Sequence, residues 1–384
     1  MLAVAAFASS IAIRIADPLL PQIAADLSVT AGTASIVITA FTVAYGASQI
    51  LYGPLGDRWG KYHLAAAICF LSALGMLACG VSRTLTELTI ARAFAGVAVA
   101  ATIPLCFAWI GDVIAYERRQ VVLGRFISSQ ILGLILGQAA GAALGDWLGW
   151  RMVFMLLAVV FTLAGVVLTA ELATSAATRA SSLRRPAGFA ETIRQIRTML
   201  ARSWVWVMLA IIAVEGGLMF GALSFVGNDL HARLGASYAT VGAAMAAFGI
   251  GGLSYTLNVA WFVRTFGERG LAIGGGSVLA LAWSGLALAP SITFAVPAIA
   301  ALGLGFYMIH NTVQTNGTQM APEARGTALA LFATVFFAGQ STGVSLAATV
   351  VDTHGAVPVF AVVAVLFPVL GLVFAHALRW WRPG

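Results

Sequence analysis

The stretch Gly53-Pro54-Leu55-Gly56-Asp57-Arg58-Trp59-Gly60-Lys61 is a short polar interruption between two long apolar runs, residues 33–54 and 63–82. Each run has the ~20 mostly apolar residues that one helical crossing of a bilayer needs. The stretch therefore reads as a turn between two membrane spans. Its small residues allow two helix ends to approach closely, and its charges are confined to the turn. Outward from it the pattern repeats. Twelve segments qualify as spans, at about 2–20, 33–54, 63–82, 88–111, 125–146, 150–170, 204–226, 237–262, 270–289, 294–318, 327–350 and 355–377. None looks like the ~10-residue alternating strand of an outer-membrane barrel. The expected fold class is an all-α membrane protein of twelve transmembrane helices.

Composition agrees. Of 384 residues, 60% are hydrophobic and 9% charged, and the mean hydropathy is +0.95. A soluble domain carries about 25% charged residues, so this chain lacks the means to cover a water-facing surface. The net charge of +7 does not point to nucleic acid, because its distribution follows the loops. With the N-terminus taken as cytoplasmic, sixteen of the 21 Lys and Arg residues fall on the cytoplasmic side. They are Arg58, Lys61, Arg118, Arg119, Arg125, Arg179, Arg184, Arg185, Arg194, Arg197, Arg202, Arg264, Arg269, Arg325, Arg379 and Arg382. Arg83, Arg151 and Arg233 fall outside, and Arg14 and Arg92 lie within spans. This is the positive-inside pattern, and one missed span would scramble it. The expected location is a bacterial-type inner (plasma) membrane, multi-pass, with both termini cytoplasmic. Arg14 and Asp17 interrupt the first apolar run and no basic region precedes it, so a cleaved signal peptide is not expected. Cys69, Cys79 and Cys106 fall inside spans and read as packing residues, without disulfide or metal spacing.

The longest polar stretch, residues 171–203, reads as a cytoplasmic linker between an N-terminal bundle, 1–170, and a C-terminal bundle, 204–384. Residues 191–200 are either a short interfacial helix or solvated loop. The halves repeat. A shift of 206 residues lays Glu117 on Glu323, Arg119 on Arg325, Leu123 on Leu329, Phe126 on Phe332, Gly133 on Gly339, Gly137 on Gly343, Asp146 on Asp352, Gly149 on Gly355 and Phe154 on Phe360. Duplicated six-span halves are the build of many secondary transporters, which hold substrate between the halves near the midplane.

The Gly53–Lys61 loop resembles the signature loop between spans 2 and 3 of the major facilitator superfamily, a Gly-x-Leu-x-Asp-Arg-x-Gly-Arg/Lys run. The resemblance implies two pseudo-symmetric six-helix bundles. It also implies a conformational latch of Gly53, Asp57, Arg58, Gly60, Lys61 and Asp112, in which Asp57 faces the start of span 11 near Thr327 and Lys61 pairs with Asp112 at the end of span 4. A carboxylate at the positive end of a helix is stabilising, and such a latch would favour the outward-facing state. The second-half counterpart, Arg264–Arg269, is degenerate and needs a one-residue shift. In span 4, Arg92-Ala93-Phe94-Ala95-Gly96 resembles the Arg-x-x-x-Gly element of drug/proton antiporters, whose arginine is implicated in proton coupling. Gly133, Gly137, Gly141 and Gly145 recur every four residues in span 5 as in that branch, and also form a seam for close packing. Gln138 stands where the branch has proline. Over the whole chain the likeness is to arabinose-efflux-permease-like bacterial proteins.

Ionisable groups inside spans cost ~2.5–3.5 kcal/mol on the insertion scale and are functional candidates. Glu215 sits eleven residues into span 7, ~16 Å along a helix. It is either a proton- or substrate-binding carboxylate or a structural hydrogen-bonding group. In span 1, Ser10, Arg14, Asp17 and Pro21 share a face. Arg14 and Asp17 can neutralise each other at i,i+3, as a coupling pair or an interfacial salt bridge, and Arg92 could compete for Asp17 or Glu215. Tyr307, His310, Asn311, Gln314 and Thr318 make a polar stripe on span 10. It should face a cavity or an interhelical network, and an unperturbed imidazole titrates near neutral pH. Thr42, Tyr45, Gln49 and Tyr52 form a similar face on span 2. Tyr255 and Asn258 in span 8 and Gln130 in span 5 are further cavity candidates. The proton-coupling candidates are thus Glu215, Asp17, Arg92 and His310. The substrate-cavity candidates are Arg14, Tyr45, Gln49, Tyr255, Asn258, Tyr307, Asn311 and Gln314.

There is no P-loop and no dinucleotide fingerprint, no metal-type His/Cys cluster and no nucleophile–base pair. No enzyme activity, cofactor or metal is expected. The expected partners are a small-molecule substrate, protons and the bilayer, and the expected state is a monomer. The function read from sequence is proton-coupled efflux of a small organic molecule by alternating access. Proton symport or facilitative uptake is the alternative within transport, and a non-transporting receptor or scaffold the alternative outside it.

Overall fold

The structure, a computed structural model, describes residues 1–114, 116–175 and 189–380, with the backbone alone at 116–121 and 124. The middle of the expected linker, 176–188, lies outside the described residues, as do Arg179, Arg184, Arg185, Arg382 and the side chains of Glu117, Arg118 and Arg119. Among the described residues, eleven helices are long and apolar enough to cross a membrane. A pair bent by 47°, Leu2–Arg14 and Ala16–Asp26, supplies the twelfth span. The others are span 2 (Ala31–Trp59), span 3 (Lys61–Val81), span 4 (Leu85–Val113), span 5 (Arg125–Leu148), span 6 (Trp150–Thr174), span 7 (Ser203–Ala232), span 8 (Tyr238–Leu257), span 9 (Val259–Ala287), span 10 (Ile292–Gly317), span 11 (Pro322–His354) and span 12 (Val357–Trp380).

Three boundaries differ from the sequence expectation. Span 1 runs on to Asp26 through a break at Ile15, because Pro18 has no N–H to give the Arg14 carbonyl. Span 7 likewise continues past 226 to Ala232 through a break at Ser224 and Phe225. The turn expected at 263–269 is instead a single backbone break at Gly267 (φ 60, ψ 174) inside a helix that starts at Val259. The linker helix is Phe189–Leu200.

The duplication is visible in the packing. Span 1 packs on 5, 2 on 4 and 3 on 6; six spans later, 7 packs on 11, 8 on 10 and 9 on 12. The two bundles meet through spans 2 and 11 and through 5 and 8, again a related pair. Gly149 and Gly355, 206 residues apart in the sequence register, both turn the chain with positive φ, 82° and 78°. Only a residue without Cβ adopts that conformation cheaply. The four glycines of span 5 lie against Phe7, Ile11, Ile15 and Leu19 of span 1. A Cβ on Gly133 would come within 2.5 Å of the Phe7 carbonyl oxygen, one on Gly137 3.0 Å from Ile11 Cα, and those on Gly141 and Gly145 would meet the Ile15 and Leu19 side chains, so close packing on span 1 explains the spacing.

One face carries both Met1 and Trp380; we name it the terminal side and its opposite the distal side. The bonds joining the bundles cluster on the distal side and at mid-depth. Asp352, at the distal end of span 11, accepts from the Gly32 N–H at 2.7 Å and the Thr30 hydroxyl at 2.6 Å. Asp146, its counterpart on span 5, accepts from the Ala239 N–H at 3.3 Å. Each carboxylate thus caps the start of the other bundle's second helix. Beyond span 7, Arg233 binds Asp229 at 2.7 Å and the carbonyls of Leu286 and Ala289; hydrogen bonding to Asp229 holds its guanidinium above the ordinary arginine range.

The cap has a measurable consequence. Removing an N-cap carboxylate costs about 1–2 kcal/mol, and only the distally closed state loses it. Asp352→Ala should move the equilibrium toward distal opening about tenfold. Spin labels at Val81→Cys and Leu288→Cys, exposed at the distal ends of spans 3 and 9, would show the wider distance. An unchanged distance distribution would dismiss the cap as a brace.

Candidate functional site

The break in span 1 sets the first part of the site. It leaves Arg14 and Asp17 buried, 5% and 1% exposed, with Nη1 3.6 Å from Asp17 Oδ2. The Ser224 hydroxyl donates to Asp17 Oδ1 at 3.5 Å, where span 7 breaks. Arg14 Nη2 donates to Gln340 Oε1 of span 11 at 3.0 Å, and the guanidinium carbon stands 3.5 Å from the centre of the Phe220 ring, a cation–π geometry.

Glu215 is fully buried, and its Oε1 lies 3.2 Å from His310 Nδ1. Its other oxygen has no hydrogen-bond partner. His310 stacks on Phe306 with ring centres 4.7 Å apart. The imidazole, not the carboxylate, lines the cavity. That cavity has a volume of about 590 Å³ and lies between the bundles. Span 10 contributes Tyr307, His310, Asn311 and Gln314; span 8 contributes Phe248, Tyr255 and Thr256; span 1 contributes Ser10 and Arg14; span 5 contributes Gln130 and Gln138. Asn311 donates to the Tyr255 hydroxyl at 3.0 Å. The size lies within the ~300–1,000 Å³ of small-molecule sites.

Several sequence candidates sit elsewhere. Gln49 and Tyr45 do not line this cavity. Gln49 Nε2 donates to the Ala100 carbonyl at 3.2 Å, an oxygen left unbonded because Pro104, four residues on, has no N–H. Tyr52 donates to the Val97 carbonyl at 2.5 Å, and Thr42 shares a bond with Ser341 of span 11 at 2.7 Å. Tyr45 packs on Phe337 with ring centres 4.5 Å apart. The polar face of span 2 is therefore a helix-to-helix seam. Asn258 is exposed and donates to the Ser254 carbonyl at 2.9 Å. Arg92 takes up neither Asp17 nor Glu215. It is fully buried, donates to the Val37 and Ala12 carbonyls at 3.3 and 3.4 Å, and lies 4.0 Å from the Phe41 ring.

At the terminal side, Lys61 contacts Asp112 directly and lies 3.1 Å from Asp57. Asp57 is thus paired within its own bundle, while Thr327 at the start of span 11 donates to Gln195 of the linker helix at 2.6 Å. Gly60 breaks the chain between spans 2 and 3 with φ 84°.

Sequence reasoning did not foresee Gln340, Ser224 or the aromatic wall of Phe220, Phe306, Phe336 and Phe337. Gln340 carried a usable signal, an uncharged polar residue inside an apolar run. The phenylalanines carried none, since rings in spans are ordinary lipid-facing residues.

The fold is thus two six-helix bundles around a mid-depth cavity walled by rings and buried charged pairs. The chain belongs to the Major Facilitator Superfamily, whose family model matches residues 2–344. It is 30% identical over 154 residues to the uncharacterized transporter YgaY of Escherichia coli O157:H7, covering 40% of this chain and 39% of that one. It is 33% identical over 120 residues to multidrug resistance protein 3 of Bacillus subtilis (strain 168), covering 31% of this chain and 23% of that one. The aligned part thus spans well under half the length of these curated relatives. The crystal structure of the nucleoside transporter NupG superposes with a TM-score of 0.79 at 15% identity, covering 99% of this chain and 98% of that one. That likeness speaks for the fold alone.

Proposed function

We propose that this chain is a proton-coupled secondary transporter that exports a small organic molecule by alternating access. The observation that carries the reading is the buried Glu215–His310 pair at the wall of the inter-bundle cavity. A carboxylate removed from water must be neutralised by a proton or a partner. Here the partner is an imidazole that itself meets the cavity. The proton can pass from cavity to imidazole to carboxylate without either group being left as a lone buried charge. Arg14 and Asp17 supply a second buried pair on the facing bundle. The multidrug resistance protein among the relatives, and the citrate exporter of Yarrowia lipolytica, 32% identical over 152 residues, support export as the direction. The excess of cationic residues on the terminal side supports placing that side, with both termini, in the cytoplasm of a bacterial-type inner membrane. On this reading the bundles are 1–170 and 204–384, joined by the linker 171–203, and the working unit is a monomer.

The test is the purified protein in proteoliposomes with an imposed pH gradient, a pH-sensitive dye inside, and a panel of small organic solutes. Solute-dependent proton movement is the expected result. Solute flux with no proton movement would replace the reading by a facilitative carrier. Absence of any flux across a broad panel would favour a receptor on the same fold.

A further inference from the structure

Resting on the transport reading above, the charge and donor balance of the cavity narrows its cargo: we infer that the transported molecule is an aromatic monoanion, a carboxylate on a one- to three-ring body, received by Arg14 and Gln138. Among the described residues lining the cavity, no Asp, Glu or Lys is present and Arg14 is the one fixed charge. The carboxylates lie behind the wall. Asp17 is 1% exposed, and Glu215 is fully buried behind His310. Arg14 is protonated and has Asp17 beside it, while Arg92 lies outside the lining, held by the Val37 and Ala12 carbonyls. Glu215 is held behind the wall against His310 at 3.2 Å and does not itself line the cavity. The lining thus presents one positive group and no negative one, which a monoanionic cargo complements. A cationic cargo would find no lining carboxylate to pair with in a partly dehydrated space, which is costly.

The hydrogen-bond inventory points the same way. On the cavity-lining residues, Gln138 Nε2 and Gln130 Nε2 are buried without hydrogen-bond partners, and Arg14 Nη1 has only the 3.6 Å ion pair with Asp17. Gln340 turns its oxygen to Arg14, which leaves its own Nε2 unpaired as well. The surplus is of donors. Buried donors without acceptors cost free energy that an incoming acceptor recovers, and a carboxylate brings two oxygens in the geometry a guanidinium fits. Gln138 is the residue that stands where the antiporter-like pattern has proline; it is 1% exposed, and proline would provide no donor. The apolar wall combines aliphatic side chains with many rings, among them Phe107, Phe220, Phe248, Phe306, Tyr307 and Phe336. Such rings favour a flat apolar body stacked or edge-on.

The experiment uses three probes with one ring system and different charge: 2-naphthoate, 2-naphthamide and 2-naphthylmethylamine. Binding to the detergent-purified full chain is measured by titration calorimetry and by thermal shift. We expect 2-naphthoate to bind at least tenfold more tightly than the amide, with the amine weakest. In Arg14→Gln the acid-to-amide ratio should collapse to within twofold, while Arg14→Lys keeps part of it. The wild-type series stands even where a variant fails to fold. Equal binding of the three probes, preference for the amine, or no binding of 2-naphthoate at millimolar concentration would overturn the cargo class. Each of these results leaves proton-coupled transport open, because solute-driven proton flux is measured separately. Conversely, tight binding of 2-naphthoate without any flux would sink the transport reading and leave the recognition intact.

Discussion

Proteoliposomes carrying Glu215→Gln will exchange solute across the membrane and will no longer move protons with it. Glutamine keeps the shape of the side chain and a hydrogen bond to His310 Nδ1, now 3.2 Å from Glu215 Oε1, but it cannot take or release a proton. Position 215 is then fixed in an uncharged form. Because the carboxylate is wholly without solvent contact and its second oxygen has no partner, its charged state depends on His310. Ionised and unpaired, it carries a desolvation penalty of at least several kcal/mol. A penalty of that size present in one protonation state and absent in the other is enough to move a two-state equilibrium over several decades, which is what coupling requires. The expected result is a fall of at least 100-fold in solute-driven proton flux, with solute counterflow retained within tenfold. His310→Gln should lower proton flux as well, by removing the group through which the carboxylate meets the cavity. Proton flux in Glu215→Gln equal to that of the unaltered chain would remove the pair from the mechanism.

The residues that form this pair were legible one at a time. Glu215 stood out as a carboxylate in an apolar run, and His310 as part of a polar stripe with helical spacing. Their meeting was not legible, since residues 95 positions apart share a wall only once spans 7 and 10 are placed. Span 2 shows the converse. Thr42, Tyr45, Gln49 and Tyr52 share one helical face much as the span 10 stripe does, yet Thr42, Gln49 and Tyr52 bond to spans 4 and 11 and Tyr45 packs on Phe337 of span 11. A polar stripe excludes lipid as its neighbour but does not choose between a cavity and another helix. Pro104 was the missing clue, because a proline in span 4 leaves a carbonyl that some neighbour must satisfy. The fold was more accessible than the site. Span length, charge placement and the 206-residue register are each properties of one chain segment compared with another. The structure repeats that register in the paired turns at Gly149 and Gly355 and in the paired caps by Asp146 and Asp352.

Gly53→Leu will fold as well as the unaltered chain and transport at least tenfold more slowly. The argument starts from the contact between spans 2 and 11. At Gly46 the two helices are so close that an added Cβ would lie 2.8 Å from Phe337 Cβ, and Thr334 donates to the Gly46 carbonyl at 2.8 Å. Seven residues further along span 2, about 10 Å by helical rise, a Cβ on Gly53 meets nothing within 4 Å, and the same holds for Gly326 at the start of span 11. The helices have separated toward the terminal side. Gly53 is therefore not small for the sake of a contact with span 11 in this state; leucine gains helix propensity of about 1 kcal/mol, offset in part by Pro54, which restricts the residue before it, and it meets no other helix here. On the alternating access proposed above, the terminal side closes in turn, and the signature loop would then seat against the start of span 11. In the present state that helix start is held by the linker helix through Thr327 and Gln195, and Asp57 is turned to Lys61. A leucine side chain would stand between the two helix ends in the closed state alone. A substitution that penalises one state shifts the equilibrium by that difference and leaves the other state's packing untouched. The thermal midpoint of Gly53→Leu should match that of the unaltered chain or rise slightly. Distances between labels on the terminal side should show the open form alone. Gly46→Leu, by contrast, should lose stability and transport together. Full transport by Gly53→Leu would mean that the terminal side closes without this loop meeting span 11.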